Sequence, residues 1–394
     1  MSINTTCPSC GQTNIFIFYK LKQVPVHSVL LLPSRQEALN YPKGDIALAF
    51  CADCGFIFNA LFDPNKHEYS ARYEETQGFS STFNIFSKNL AQRLIDRYDL
   101  HGKNIIEIGC GKGEFLTLLC DLGQNRGVGF DPAYIDERNQ NPAKDRISFI
   151  KDFYSEKYAH YQGDFVCCKM TLEHIQNTAD FVGMVRRSIG DQPDTIVFFQ
   201  IPDVVRILRD VAFWDIYYEH CSYFSKGSLA RLFRRCGFNV LDLSREYDDQ
   251  YLMIDAKPGK NGAVQTPLPE EDDLEALKQD VAYFVENYPK MLDEWRYKLK
   301  KIKDDGRKAV IWGAGSKGVA FLITLNVQNE IEYAVDINPY KHGYYMAGTG
   351  QEIVAPEFLQ SYKPDIVIVM NPIYCDEISR DLERMGITAE LMPV

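Results

Sequence analysis

Two short segments place four thiols where a metal ion could be held. Cys7-Pro8-Ser9-Cys10-Gly11 and Cys51-Ala52-Asp53-Cys54-Gly55 are CxxCG knuckles. In each, the spacing lets both sulfurs point at one ion while glycine takes the tight conformation that follows. Four thiolates close a tetrahedral Zn2+ site and leave no position for water. Cys7, Cys10, Cys51 and Cys54 are therefore expected to bind a structural zinc that staples a segment with little core of its own. A pair of redox dithiols is the alternative, but such a motif sits at a strand-to-helix junction and does not come as two glycine-flanked copies. The chain has 11 cysteines, an odd number that speaks against a disulfide scaffold. Cys110, Cys120, Cys167, Cys168, Cys221, Cys236 and Cys375 read as small core fillers.

Two glycine-rich loops suggest ligand binding of different kinds. Glu107-Ile108-Gly109-Cys110-Gly111-Lys112-Gly113 follows a strand-like run and opens a helix-like one. Its glycines let the backbone approach a ligand lying across the carboxyl end of a sheet. A dinucleotide loop would read GxGxxG, and Glu114 stands where its third glycine belongs. Further on, Gly127-Val128-Gly129-Phe130 ends in Asp131, a carboxylate placed to accept both hydroxyls of a ribose. The second loop, Gly313-Ala314-Gly315-Ser316-Lys317-Gly318, is a full GxGxxG with Asp336 after the next strand. It admits three readings: NAD binding, a phosphate contact through Lys317 for a nucleotide-linked substrate, and a structural turn.

Acid–base chemistry is concentrated in Phe213-Trp214-Asp215-Ile216-Tyr217-Tyr218-Glu219-His220-Cys221-Ser222-Tyr223-Phe224-Ser225. This segment follows a strand and precedes a helix, which places it at the sheet edge where doubly wound domains build their sites. His220, with an unperturbed pKa of about 6.5, suits a base near neutral pH. Glu219 or a tyrosine could orient a substrate or hold a developing oxyanion. A loop of aromatics capping the sheet is the plainer alternative. His174, in Met170-Thr171-Leu172-Glu173-His174-Ile175, reads as a packed histidine or one satisfying a backbone carbonyl.

These groups need a scaffold, and the hydrophobic pattern supplies one. Short strands at 15–18 and 46–50 give a zinc-ribbon-like module, with the domain extending over 1–68. Apolar positions at helical spacing from Phe79 to Leu100 lead into strands at 104–108, 127–130, 164–168, 195–201, 239–244 and 251–257. Alternation of these with helices predicts an α/β, doubly wound, Rossmann-like domain over 69–257. A Pro/Gly-rich linker near 258–270 opens the segment 258–303, whose stripe Leu277, Val281, Phe284, Tyr288, Met291, Trp295, Leu299 and Ile302 predicts one long helix, kinked at Pro289. A second, smaller Rossmann-like unit, with strands at 309–312, 332–335 and 365–370, closes the chain at 304–394.

The 394 residues carry 54 Asp+Glu against 43 Lys+Arg, a net charge of -11. No stretch concentrates basic residues as a phosphate-tracking surface would, so nucleic acid is not an expected partner. No apolar run approaches the roughly 18 residues needed to cross a bilayer. With no basic and apolar leader, a cytoplasmic address and no membrane partner are expected. The periodicity leaves the oligomeric state open.

The motif ExGxGxG at Glu107 to Gly113 resembles motif I of class I S-adenosylmethionine methyltransferases. The whole arrangement resembles the sugar C-methyltransferases of deoxysugar pathways: a CxxC…CxxC module, that motif, Tyr218-Glu219-His220-Cys221-Ser222-Tyr223-Phe224, and a carboxy-terminal unit with Trp312 to Gly318, Asp336, Asn338-Pro339, Lys341, Gly343, Pro356-Glu357 and Asn371. The resemblance implies a class I methyltransferase fold with S-adenosylmethionine as cofactor. Glu107, Gly109, Gly111, Gly113, Asp131, Asp152, Phe153 and Lys169 would hold that cofactor. The implied substrate is a small molecule, a nucleotide-linked 4-keto-6-deoxyhexose, contacted by Tyr223, Ser316, Lys317 and Asn371 and methylated on a carbon next to its ketone. His220 would remove the alpha proton, Tyr217 would stabilise the enolate oxygen, and Glu219 would orient the sugar; such a base needs no metal. Where the family carries Tyr-x-Tyr-x-Ser-Ser, this chain has Tyr69-Ser70-Ala71-Arg72-Tyr73-Glu74-Glu75-Thr76-Gln77-Gly78-Phe79-Ser80-Ser81. Tyr73 is the substitute tyrosine, and Glu74, Glu75 and Gln77 build a different wall. O- or N-methyl transfer to another acceptor, and an oxidoreductase using the Gly313 loop, are the alternative functions.

Overall fold

The computed structural model describes residues 4–66, 72–139, 141–259, 266–327 and 329–394. The expected boundary at residue 68, Tyr69, Ser70 and Ala71, and the linker residues 260–265 lie outside the described residues.

The first unit is larger than its short apolar runs suggest. β1 (Ile15–Pro25), a short helix α1 (Arg35–Asn40), β2 (Lys43–Cys51) and β3 (Ile57–Asn59) form an antiparallel sheet in that strand order. The knuckles flank it, so the thiols stand at one end. The expected run at 15–18 is only the start of β1, which continues past two irregularities in its pairing with β2.

The second unit opens with α2 (Ser81–Tyr98), whose N-cap Ser80 accepts from the Phe83 N–H and whose C-cap Asp99 is left-handed at φ 50°. There follow β4 (Asn104–Ile108), α3 (Glu114–Leu122), β5 (Arg126–Phe130), β6 (Ile147–Ile150), β7 (Phe165–Lys169), α4 (Thr178–Ile189), β8 (Ile196–Pro202), α5 (Val204–Arg209), β9 (Ser222–Tyr223), α6 (Lys226–Arg235), β10 (Phe238–Glu246) and β11 (Tyr251–Pro258). Seven strands form one sheet in the order β10-β11-β8-β7-β4-β5-β6. Only β11 runs against its neighbours. The strand order reverses between β4 and β7, which opens a crevice at their carboxyl ends. β9 does not join this sheet. Ile57 pairs with Tyr223 and Phe58 with Ser222, so β9 becomes the edge of the amino-terminal sheet. A two-residue strand carries no periodicity, and sequence reasoning missed it.

The third unit comprises α7 (Leu274–Asp304), β12 (Ala309–Trp312), α8 (Ser316–Leu325), β13 (Tyr333–Val335), β14 (Glu352–Val354), α9 (Leu359–Tyr362), β15 (Ile366–Val369), α10 (Cys375–Arg384) and β16 (Glu390–Pro393). Its sheet is parallel throughout, in the order β14-β13-β12-β15-β16. α7 is one helix with Pro289 inside it. Its stripe packs within the chain: Phe284 meets Tyr19 at 5.8 Å between ring centroids, and Trp295 meets Phe321 at 5.0 Å. One core therefore joins residues of all three units, among them Tyr19, Phe213, Tyr218, Phe284, Trp295 and Phe321. Among the described residues no helix is long and apolar enough to cross a membrane.

Candidate active site

A cavity of about 670 Å³ lies where the second and third units face each other. Its wall takes in Glu107, Gly109, Gly111 and Asp131 on one side, His174, Tyr217 and His220 at the floor, and Ser316, Lys317 and Asn371 opposite.

The first side follows from the turn after β4. Gly109 and Gly111 hold φ of 69° and 54°, a region that penalises any side chain. A Cβ on Gly109 would also run into the Thr171 side chain. Asp131 Oδ2 accepts the Gly111 N–H at 2.9 Å and Oδ1 the Ala133 N–H at 2.7 Å, which ties the carboxylate to the glycine turn. Burial raises its pKa above the ordinary value. Glu107 accepts the Leu116 N–H at 2.9 Å, and burial pushes it up to about 8 against the pull of Lys169. Lys169 lies 3.5 Å from the centre of the Phe115 ring, and burial lowers its ammonium. Asp152 accepts from the Phe153 N–H and from Tyr158 Oη and pairs with Lys157, which with Tyr158 holds it down to about 2.

At the floor, Tyr217 Oη and His220 Nε2 are 3.0 Å apart, with ring centroids at 4.1 Å. Burial holds the Tyr217 phenol well above its ordinary range, so it keeps its proton. His174 packs edge-on against His220 at 4.9 Å, and its Nδ1 lies 3.0 Å from the Glu219 carbonyl oxygen.

The opposite wall is joined to the rest by polar contacts between units. Lys317 pairs with Asp215 at 2.8 Å, and Asp215 also takes Arg206 at 2.9 Å. The Asn371 and Gln250 side-chain amides donate to each other in two hydrogen bonds of 2.9 and 3.0 Å. Glu74, 2% exposed, accepts from Arg138 at 2.8 and 3.2 Å and from Asn338 Nδ2 at 2.9 Å, while the guanidinium lies 3.6 Å from the Tyr340 ring centre. Burial alone would raise Glu74; the Arg138 and Asn338 bonds outweigh it, and the net shift is downward.

Most of the residues expected from the sequence meet in this cavity, Tyr73, Phe153 and Lys169 included. Three do not line it. Gly113 packs against Phe149. Tyr223 is buried in the β3–β9 pairing. Glu219, 1% exposed, places its Oε1 3.0 Å from His27 Nδ1. Sequence reasoning missed Lys112, a buried lysine that donates to the Tyr73 and Ala133 carbonyls at 3.0 and 3.1 Å. Its place inside the glycine motif was the available signal. It also missed His27, Gln250 and Arg138, whose partners lie far away in the chain.

Asp336 accepts from the Ala314 and Asn338 N–H groups and pairs with Lys341 at 3.0 Å.

Away from the cavity, Cys7, Cys10, Cys51 and Cys54 bring their sulfurs within 4.8 Å of one another, with Cys7–Cys54 at 3.7 Å and Cys10–Cys51 at 3.5 Å. With Zn–S bonds of about 2.3 Å a tetrahedral site needs sulfurs about 3.8 Å apart. The spacing suits a four-thiolate metal centre and excludes disulfides.

The cavity also fits its cofactor chemically. Among its described wall residues, the buried polar atoms lacking a hydrogen-bond partner are Glu75 Oε2, both Glu173 carboxyl oxygens and Gln200 Oε1. Each is an oxygen able to accept a hydrogen bond, which the ammonium and ribose hydroxyls of S-adenosylmethionine can donate. A seven-stranded sheet with one reversed strand, the ExGxGxG turn and Asp131 together define an S-adenosylmethionine-dependent methyltransferase of class I. Residues 83–243 match the methyltransferase domain family and residues 253–389 the C-methyltransferase C-terminal domain family. The chain is an S-adenosylmethionine-dependent methyltransferase whose carboxy-terminal unit matches that of C-methyltransferases. It is 26% identical over 308 residues to C-methyltransferase NovU of Streptomyces niveus, covering 74% of this chain and 72% of that one. It is also 26% identical over 121 residues to the mitochondrial ubiquinone biosynthesis O-methyltransferase of Dictyostelium discoideum, spanning 27% of this chain and 37% of that enzyme. Among solved structures it is similar to magnesium protoporphyrin IX methyltransferase of Synechocystis PCC 6803 with bound S-adenosylhomocysteine, at 13% identity and a TM-score of 0.36 over 45% of this chain and 84% of that one.

Proposed function

We propose that this enzyme methylates a nucleotide-linked keto-deoxysugar on a carbon alpha to its ketone, by way of an enolate that His220 forms. The observation that carries this reading is the Tyr217–His220 pair, 3.0 Å apart on the floor of a cavity that the cofactor loop and the carboxy-terminal glycine loop share. S-adenosylmethionine, when bound, supplies an electrophilic methyl group. Glu107, Gly109, Gly111, Asp131, Asp152, Phe153 and Lys169 would hold it. His220 takes the proton made acidic by the adjacent ketone. Tyr217, a phenol that burial keeps protonated, donates first toward His220 and then to the ketone oxygen as charge develops there. Tyr73 lines the same cavity, and Glu219 acts indirectly by anchoring His27 and, through its carbonyl, His174. Ser316 at the start of α8, Lys317 and Asn371 would face the nucleotide end, with the Lys317 ammonium, paired to Asp215, as the cation nearest a phosphate. The thiolates of Cys7, Cys10, Cys51 and Cys54 hold a structural Zn2+.

The test is deuterium exchange from solvent into the alpha carbon of nucleotide-linked 4-keto-6-deoxyhexoses, followed by NMR with S-adenosylhomocysteine present. Exchange catalysed by the wild type and abolished in His220→Ala, with S-adenosylhomocysteine affinity retained, is the expected result. Methylation of an oxygen or nitrogen without any alpha exchange would refute it.

A further inference from the structure

The proposed base belongs to a cluster whose other members the mechanism does not use directly. Glu173, His174 and His220 each offer one ligand atom, and these atoms all lie within 4.8 Å of one another. Glu173 is 1% exposed, and neither of its carboxyl oxygens has a hydrogen-bond partner. A buried carboxyl with no donor on either oxygen is costly, and a cation between it and two imidazoles would satisfy it. His174 has its Nδ1 on the Glu219 carbonyl oxygen at 3.0 Å, the kind of bond that fixes ring orientation under metal-bound histidines. His220 is steadied in the same way by Tyr217 at 3.0 Å.

We propose that Glu173, His174 and His220 form a second metal site, distinct from the four thiolates, whose occupation by a divalent transition ion switches off the His220 base. Two imidazoles and one carboxylate suit Zn2+, Co2+ or Ni2+, and the adjoining cavity leaves room for water on the ion. Inhibition follows from imidazole chemistry. A ring nitrogen bound to the ion has no lone pair for a proton, and the other nitrogen of a neutral metal-bound ring carries hydrogen, so neither can act as base. The inhibitory half rests on the assignment of His220 proposed above; the binding half does not.

The experiment titrates Co2+ into the full-length protein with its four-thiolate site already filled with zinc, reading absorption and metal content. The expected result is one Co2+ per chain beyond the zinc, with the weak bands of nitrogen and oxygen ligands. Affinity should fall by at least about tenfold in both Glu173→Gln and His174→Ala. Retained zinc and retained S-adenosylhomocysteine binding report that each variant is folded. Alpha-carbon exchange in the wild type should fall in proportion to Co2+ bound and return when a chelator removes it. No Co2+ beyond the thiolate site, binding undiminished in both variants, or full exchange with Co2+ bound would each overturn the proposal. Co2+ binding in a protein that exchanges no keto sugar would uphold the site, overturn the switch, and count against the proposed function.

Discussion

Removing the Asp131 carboxylate tests the cofactor half of the site most directly. Asp131 holds two backbone N–H groups, at 2.9 and 2.7 Å, and would meet the two ribose hydroxyls when cofactor binds. A hydrogen bond to an ionised group contributes about 1.5–3 kcal/mol, so losing two costs about 3 kcal/mol at the lower limit. At about 1.4 kcal/mol per tenfold, S-adenosylhomocysteine should bind Asp131→Ala roughly 100-fold more weakly than wild type. Asp131→Asn keeps the shape and one acceptor oxygen, and its loss should fall near tenfold. Isothermal titration reads both, and the Asn variant separates ribose recognition from a collapse of the Gly111 turn. Protonation removes the same acceptors, so wild-type affinity should weaken as pH falls through the raised Asp131 pKa, while Asp131→Asn stays flat. A Kd for Asp131→Ala within about threefold of wild type would refute the assignment.

Other perturbations have equally definite outcomes. Glu74→Ala strands the Arg138 guanidinium against Tyr340 and should cost about 3–5 kcal/mol, read as a lower denaturant midpoint and rescued in part by removing Arg138 as well. Burial lifts Glu75 from 4.5 to about 7, against the pull of Lys112; between those values the unfolded chain releases a proton that the folded chain keeps, so wild-type stability falls as pH rises. The Tm advantage of Glu75→Gln over wild type should therefore grow from pH 4.5 to 7 and level off above, and an advantage that shrinks over that window would contradict the sign. Cys54→Ser should lower zinc content from one ion per chain toward none and lower the Tm. Gly109→Ala, whose Cβ would meet the Thr171 side chain, should lose S-adenosylhomocysteine affinity, while Gly102→Ala, equally left-handed at φ 64° but facing open space away from the cavity, should not.

What could be read from the sequence was whatever leaves a local trace. The strands of the central sheet show as apolar runs of five or so residues, and the knuckles and the Glu107–Gly113 turn show as fixed spacings. Asp131 was legible because β5 delivers it to the turn after β4, a relation that the doubly wound topology dictates. The unread contacts join distant segments: Glu74 with Asn338, Ser80 with Glu377 at 2.9 Å, Tyr374 with Gln77 at 3.0 Å, His27 with Glu219. No periodicity or spacing announces such a partner. Glu219 shows the cost. Its place beside His220 suggested contact with substrate, but along an irregular loop neighbouring side chains diverge, and this one turns away from the cavity to His27.

The two-residue strand Ser222–Tyr223 alters what counts as the smallest working enzyme. It begins one residue after Cys221 and is hydrogen-bonded to β3, so the segment bearing Tyr217 and His220 is moored at its far end to the strand that follows the second cysteine knuckle. Trimming the chain to its methyltransferase domain would leave the cofactor cleft standing and set that segment adrift. Such a truncation should still capture S-adenosylhomocysteine yet fail to exchange a substrate proton, the behaviour of a receptor with its tool cut loose.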